Sequence, residues 1–146
     1  QAALGLEVLG LVEAERAERA RVARTYLERL ERHPGIRALR PPPNVRDSLQ
    51  YFVVRVDAAL AGIGRDALHA QLRAHNVITR RYFFPLCSDY ACYSGLPSAQ
   101  PQRLPVATRV ASEVLCLPLY GALTDEDVHR VCDVIDHAVA NTRRAA

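Results

Sequence analysis

Apolar residues at Leu9, Val12, Ala20, Ala23, Leu27 and Leu30 recur at spacings of three, four and eight, the repeat of one helix face. A helix is therefore expected from Gln1 to about Arg32. Its other face is charged: Glu15 with Arg19 and Glu28 with Arg32 stand four apart, and Glu13 with Arg16 and Glu18 with Arg21 three apart, pairs worth about 0.2–0.5 kcal/mol each. So many interleaved glutamates mark a solvated face and argue against a nucleic-acid helix. The stretch Leu4 to Val12 is apolar nearly all round, which predicts that it packs on another domain or subunit.

His33-Pro34-Gly35 stops this helix, and Arg40-Pro41-Pro42-Pro43-Asn44 reads as a stiff extended connector with a boundary near residue 40. From Leu49 to Val56 apolar and other residues alternate with the β-branched and aromatic content of a strand. Gly62-Ile63-Gly64 turns into a helix from about Arg65 to His75, with Asn76 as a left-handed cap. A second strand is expected over Val77 to Phe84. The next twenty residues hold Pro97, Pro101 and Pro105 with Ser94, Gly95 and Ser98, a long loop of the kind that carries function. Pro105 suits the first turn of a helix reaching about Val114, and Leu115-Cys116-Leu117 a brief strand. Thr124-Asp125-Glu126-Asp127 is a strong helix start, a threonine cap with three acids in the first turn. The sum is an α+β domain: a small, mostly antiparallel sheet covered by helices.

Composition sharpens this picture. The 146 residues, 49% apolar and 24% charged, suit one packed domain. A net charge of +3 is too small an excess to point to nucleic acid or anionic lipid. All 19 basic residues are arginine, and methionine is absent too, so Gln1 is read as not being a translation start. Without lysine the chain can form no Schiff base with pyridoxal phosphate and no P-loop. Cys87, Cys92, Cys116 and Cys132 are separated by four, 23 and 15 intervening residues, spacings that fit no zinc knuckle. Cys87, Cys116 and Cys132 have apolar neighbours, as free core thiols of a reducing compartment do. With no targeting or membrane-spanning segment visible, the expected location is cytoplasmic.

Few residues offer chemistry. His33, His69, His75, His129 and His137 form no catalytic motif, and a metal site at His129, Asp133 and His137 is remote; no metal is expected. The unusual segment is Thr79-Arg80-Arg81-Tyr82-Phe83-Phe84-Pro85. Strand alternation would send Arg80 and Arg81 to opposite faces. One of them would then need an anion, either a carboxylate of the protein or a substrate phosphate. The aromatic residues beside them could stack a planar ligand or simply fill the core.

The order QAALGL, HPGI, YFVVRVD, GRDALHAQLRAHNVITRRYFFPL and LPVATRVASEVLCLPLYGALTDEDVHRVCDVI resembles the C-terminal part of the DegT/DnrJ/EryC1/StrS family of pyridoxal-phosphate-dependent aminotransferases, which act on keto sugars attached to a nucleotide. The resemblance runs from Gln1 to about Ile135. It implies the C-terminal small domain of a fold-type-I aminotransferase, residues 41–146, preceded by a long interdomain helix and Pro-rich connector, residues 1–40. In the family the aldimine lysine, the aspartate under the pyridine nitrogen and the phosphate-binding residues precede the segment resembling QAALGL. The chain is then a fragment or truncated product, not active alone. Cofactor (pyridoxal phosphate, held mainly by the preceding domain), nucleotide-sugar substrate, an amino donor such as glutamate and a homodimeric state all follow from the resemblance. No catalytic residue falls in this chain; Arg80, Arg81 and Tyr82 are carried over as substrate contacts. Arg81 stands where histidine is frequent in the family, and Cys87 where many members have a histidine. The reading from another class is a free-standing, non-catalytic α+β module that binds a partner or anion through Arg80 and Arg81. It predicts no apolar patch along the first helix.

Overall fold

The computed structural model describes residues 1–145, with side chains through Thr142. Helix α1 spans Ala2–Leu30, strand β1 Ile36–Ala38 and strand β2 Phe52–Val56. After these come the short helix α2 (Ala58–Ala61), α3 (Arg65–Ala74), α4 (Pro105–Glu113), strand β3 (Val114–Leu117) and α5 (Asp125–Ala145). The three strands form one antiparallel sheet in the order β1-β2-β3. This is the expected α+β class, a small antiparallel sheet covered by helices.

Register fixes the core. Phe52 opposes Leu117, Val54 opposes Leu115 and Ile36 opposes Val56, so these side chains share one face of the sheet. There they meet Val22, Tyr26 and Leu30 of α1, Leu68 and Leu72 of α3, and Val128, Cys132, Ile135 and Val139 of α5, all buried in one cluster. Each such side chain contributes about 1.5–3 kcal/mol on leaving water. Val114 and Cys116 lie on the opposite face, and there Glu113 of α4 pairs with Arg55.

The caps follow the sequence. Thr124 Oγ1 accepts the Asp127 N–H at 3.1 Å and donates to Asp127 Oδ2 at 2.8 Å, which opens α5. Asn76 takes the left-handed conformation after α3, at φ 61°. Asp57 caps α2 by accepting from the N–H groups of Ala59 and Leu60.

Four expectations need correction. The buried stripe of α1 is Val22, Ala23, Tyr26 and Leu30, whereas Leu9 and Val12 are exposed; the side-chain bonds from α5 to α1 fall at Arg21 and Arg29, in its C-terminal part. Residues 77–84 form no strand: this stretch touches the sheet through one bridge, Arg80 with Cys116. Strand β2 begins at Phe52, because Leu49 turns the chain at φ 51°. Strand β1 was not foreseen: three residues carry too little periodicity to register. It is docked through Gly35, whose carbonyl accepts the Asp57 N–H at 2.8 Å and where a Cβ would overlap the Ala61 backbone.

The stretch that follows the Pro-rich connector is strapped to α1. Arg16 Nε donates to the Asp47 carbonyl at 3.0 Å and Arg19 Nη1 to that of Leu49 at 3.3 Å. Glu15 binds Arg19 at 2.9 Å and accepts the Gly121 N–H at 2.8 Å, so one turn of helix holds two loops. Further along, Arg29 donates to Asp133 at 2.6 Å and Asp136 at 2.8 Å, and His33 Nε2 lies 2.6 Å from Asp136. These pairs clamp the end of α1 to α5.

Candidate substrate-facing site

The segment Thr79–Pro85 leaves α3, crosses the edge of β3 and enters the long loop. Its backbone is tied at one point: the Arg80 N–H donates to the Cys116 carbonyl at 3.1 Å, and the Arg80 carbonyl accepts from the Cys116 N–H at 2.8 Å. Because there is no strand beyond this bridge, Arg80 and Arg81 do not divide between a covered and an open face, and both are exposed. Among the described residues the buried arginine is Arg65, 3% exposed at the start of α3. Its Nη1 donates to the Val114 carbonyl at 3.0 Å. Its Nε sits 2.8 Å from Asp66 Oδ1, a contact that pairs the charges without the alignment of a hydrogen bond.

Arg81 joins the same cluster. Its Nη1 stands 3.7 Å from Asp66 Oδ1, and its guanidinium lies 4.6 Å from the centre of the Phe84 ring, with that of Arg65 at 5.3 Å. Two cations thus share one carboxylate and one aromatic ring, an arrangement that offsets the cost of sinking Arg65. Nearby, His69 Nδ1 is 2.6 Å from the hydroxyl of the buried Thr79. Burial first, and then the charges of Arg81 and Arg73, hold its pKa below the ordinary histidine range, which keeps the imidazole neutral near pH 7.

On the other side of the segment lies an open groove of about 340 Å³. Gln50, Tyr51, Arg80 and Tyr120 stand around it, with Ile78, Cys116, Leu117, Pro118 and Leu119 completing its walls. Tyr82 is half-buried between Tyr51, at 5.1 Å between ring centres, and Phe83, stacked at 4.2 Å. Burial pushes the Cys116 thiol up to about 11, against the pull of Arg80, so it is no nucleophile near neutral pH. Cys132 is likewise raised to about 11 by burial. Cys87 and Cys92 are exposed, which corrects the reading of Cys87 as a core thiol: the loop beyond Pro85 turns outward through short 3₁₀ turns at Cys87–Asp89, Pro97–Ala99 and Pro101–Arg103. His129 and Asp133 both contact Arg29, and among the described residues no three His, Cys, Asp or Glu side chains converge as metal ligands.

The three residues singled out in the sequence thus share one surface strip but face different surroundings: Arg81 the Phe84 cluster, Arg80 the groove, Tyr82 the aromatic stack. Sequence reasoning missed Arg65, Asp66, Tyr51 and Tyr120. Arg65 and Asp66 passed as a helix start after Gly64, and the tyrosines as strand and loop residues. Only the fold brings them beside residues 80–84.

A model of the DegT/DnrJ/EryC1/StrS aminotransferase family matches residues 1–136. The chain belongs to this family. It is 34% identical over 134 residues to a curated relative, the dTDP-4-amino-4,6-dideoxy-D-glucose transaminase of Escherichia coli, covering 92% of this chain and 36% of that protein. Among solved structures it is similar to DesI in the presence of its TDP-sugar product, at 33% identity and a TM-score of 0.87, over 99% of this chain and 36% of DesI. It is also similar to DesV of S. venezuelae, in complex with a ketimine intermediate, at 26% identity and a TM-score of 0.83, over 95% of this chain and 36% of DesV. The chain thus spans about a third of the length of the family members it matches.

Proposed function

We propose that this chain is the C-terminal part of a pyridoxal-phosphate-dependent aminotransferase that aminates a nucleotide-linked keto-deoxysugar in amino-sugar biosynthesis. The observation that carries the reading is family membership over residues 1–136 combined with a third of the relatives' length. Residues 1–40 serve as linking helix and connector and residues 41–146 as the small domain, although β1 of the first part completes the sheet of the second. The rest of the protein supplies the cofactor site. With no lysine in the sequence, these residues do not fit as the covalent anchor of pyridoxal phosphate, and no cofactor step is assigned to them. The cofactor, bound elsewhere in the protein, supplies the carrier of the amino group.

What the chain contributes is a substrate-facing strip that carries Arg80, Arg81 and Tyr82. The amino donor is an amino acid such as glutamate, the whole protein is a homodimer, and it works in the cytoplasm. Support for an extensive partner surface comes from α1. Leu4, Leu6, Val8, Leu9, Leu11 and Val12 are between 44% and 71% exposed along its first three turns, a row that a free-standing module would not be expected to present. No helix among the described residues is long and apolar enough to cross a membrane.

The test is the mass of the native protein in its source cells, read with an antibody against this chain. A single species well above 16.2 kDa that contains pyridoxal phosphate and transfers an amino group to a keto-sugar nucleotide is the expected result. A stable native species of 16.2 kDa without cofactor would overturn the proposal.

A further inference from the structure

We propose that Arg80, and not Arg81, binds the phosphoryl anion of the substrate, in the groove walled by Tyr51 and Tyr120, and that Arg81 positions the segment. The inference rests on the nucleotide-sugar reading above and assigns the phosphoryl contact to one of two adjacent arginines.

The two differ in what already satisfies them. The Arg81 guanidinium faces the Asp66 carboxylate and the Phe84 ring, and its charge is shared with the buried Arg65. An anion drawn to it would compete with Asp66 and disturb the packing that covers Arg65. Arg80 has no acidic side chain within ion-pair distance among the described residues. Its backbone is pinned in both directions to Cys116, so the base of the side chain is fixed at the groove rim while the guanidinium remains open to solvent.

The groove selects the ligand. Of the residues lining it, Arg80 alone is charged. An anion there meets one bidentate cation and no repelling carboxylate. Tyr51 and Tyr120 offer aromatic faces and hydroxyls, and Gln50 an amide that both donates and accepts. A volume of about 340 Å³ falls at the small end of the ~300–1,000 Å³ common for small-molecule sites. A cation flanked by two phenol rings and an amide matches a ligand with a phosphoryl group and a planar heterocycle, which is a nucleoside diphosphate. Tyr82, held between Phe83 and Tyr51, acts through Tyr51 by fixing one wall.

The experiment titrates thymidine diphosphate, and inorganic pyrophosphate as the anion without a base, into the native protein and its Arg80→Gln, Arg80→Lys and Arg81→Gln variants. Melting is followed in parallel. Loss of one charge-assisted contact predicts that Arg80→Gln weakens thymidine diphosphate by about tenfold or more with unchanged melting. Arg80→Lys recovers part of that loss, and pyrophosphate shows the same order. Arg81→Gln weakens binding by less than about threefold while lowering the melting temperature. Equal losses in the two glutamine variants, a larger loss in Arg81→Gln, or no binding of either probe by the wild type overturns the assignment. Amino transfer separates the two claims. Binding that depends on Arg80 in a protein without aminotransferase activity refutes the enzymatic reading and keeps the anion site. Activity whose KM for the nucleotide sugar ignores Arg80→Gln refutes the anion site and keeps the enzyme.

Discussion

Both halves of α1 carry apolar residues at helical spacing, and those residues meet opposite fates. In the C-terminal half Val22, Ala23, Tyr26 and Leu30 are buried against the sheet and α5, whereas in the N-terminal half Leu4, Leu6, Leu9 and Leu11 stand in the open. Gly5 and Gly10 lower the helix propensity of the exposed half, but what decides burial is the partner. Leucine spacing declares that a face wants cover, and only tertiary structure says whether this chain provides it. The exposed half is therefore a statement about a surface outside these residues, while the buried half is a statement about this core.

Val22→Asp breaks the comparison from the buried side. A carboxylate at a fully buried position costs about 3–5 kcal/mol, and loss of the cooperative melting transition is the expected outcome. Gly35→Ala should come next. The added methyl overlaps backbone at Ala61, so neither side can yield by a rotamer change, and a loss of about 1–3 kcal/mol in denaturant titration is expected. Asp136→Asn removes the carboxylate shared by Arg29 and His33 where the end of α1 meets α5. It should cost about 1–2 kcal/mol, because Arg29 keeps Asp133.

Much of this was legible in the sequence. The caps at Thr124 and Asn76, the stops at His33-Pro34-Gly35 and the α+β class rest on local chemistry, and local chemistry is what a sequence displays. The stretch Val77–Phe84 has β-branched and aromatic residues in alternation, but the edge of β3 accepts it at Arg80 alone. Pairing beyond that point is a long-range matter. Arg65 is the clearest case of the same limit: nothing next to it in sequence signals that the Val114 carbonyl and the Phe84 ring, both brought from elsewhere, will receive it.

A smaller effect is expected with pH. The His69 pKa is held below its ordinary value, chiefly by burial, so between the folded value and about 6.5 the unfolded chain binds more protons. Stability from this group is complete above about pH 6.5 and declines as pH falls toward the folded value. Glu15 is lowered by the Gly121 N–H and by Arg19. In Asp136 burial pushes up, and the His33 and Arg29 hydrogen bonds outweigh it. Those two carboxylates stabilise above about pH 4 and lose their contribution as pH falls through their lowered values. Melting curves of His69→Gln should therefore lack the loss that begins below about pH 6.5 and retain the more acidic one.

Leu9→Asp is the counterpart to Val22→Asp and the smallest effect on folding. At 67% exposure the change should leave the melting temperature of this chain within the equivalent of about 0.5 kcal/mol. Sedimentation of the chain should show weaker self-association, because the charge interrupts the apolar row.

The 29 residues of α1 also have a mechanical meaning. At about 1.5 Å per residue, the part before Glu13 projects roughly 17 Å beyond the turn where Glu15, Arg16 and Arg19 hold two loops. That turn is then a fulcrum and the free part an arm. A tilt of about 10° at the fulcrum carries the tip through roughly 3 Å. A surface docked on the arm would thereby be geared to the loops that hold the fulcrum.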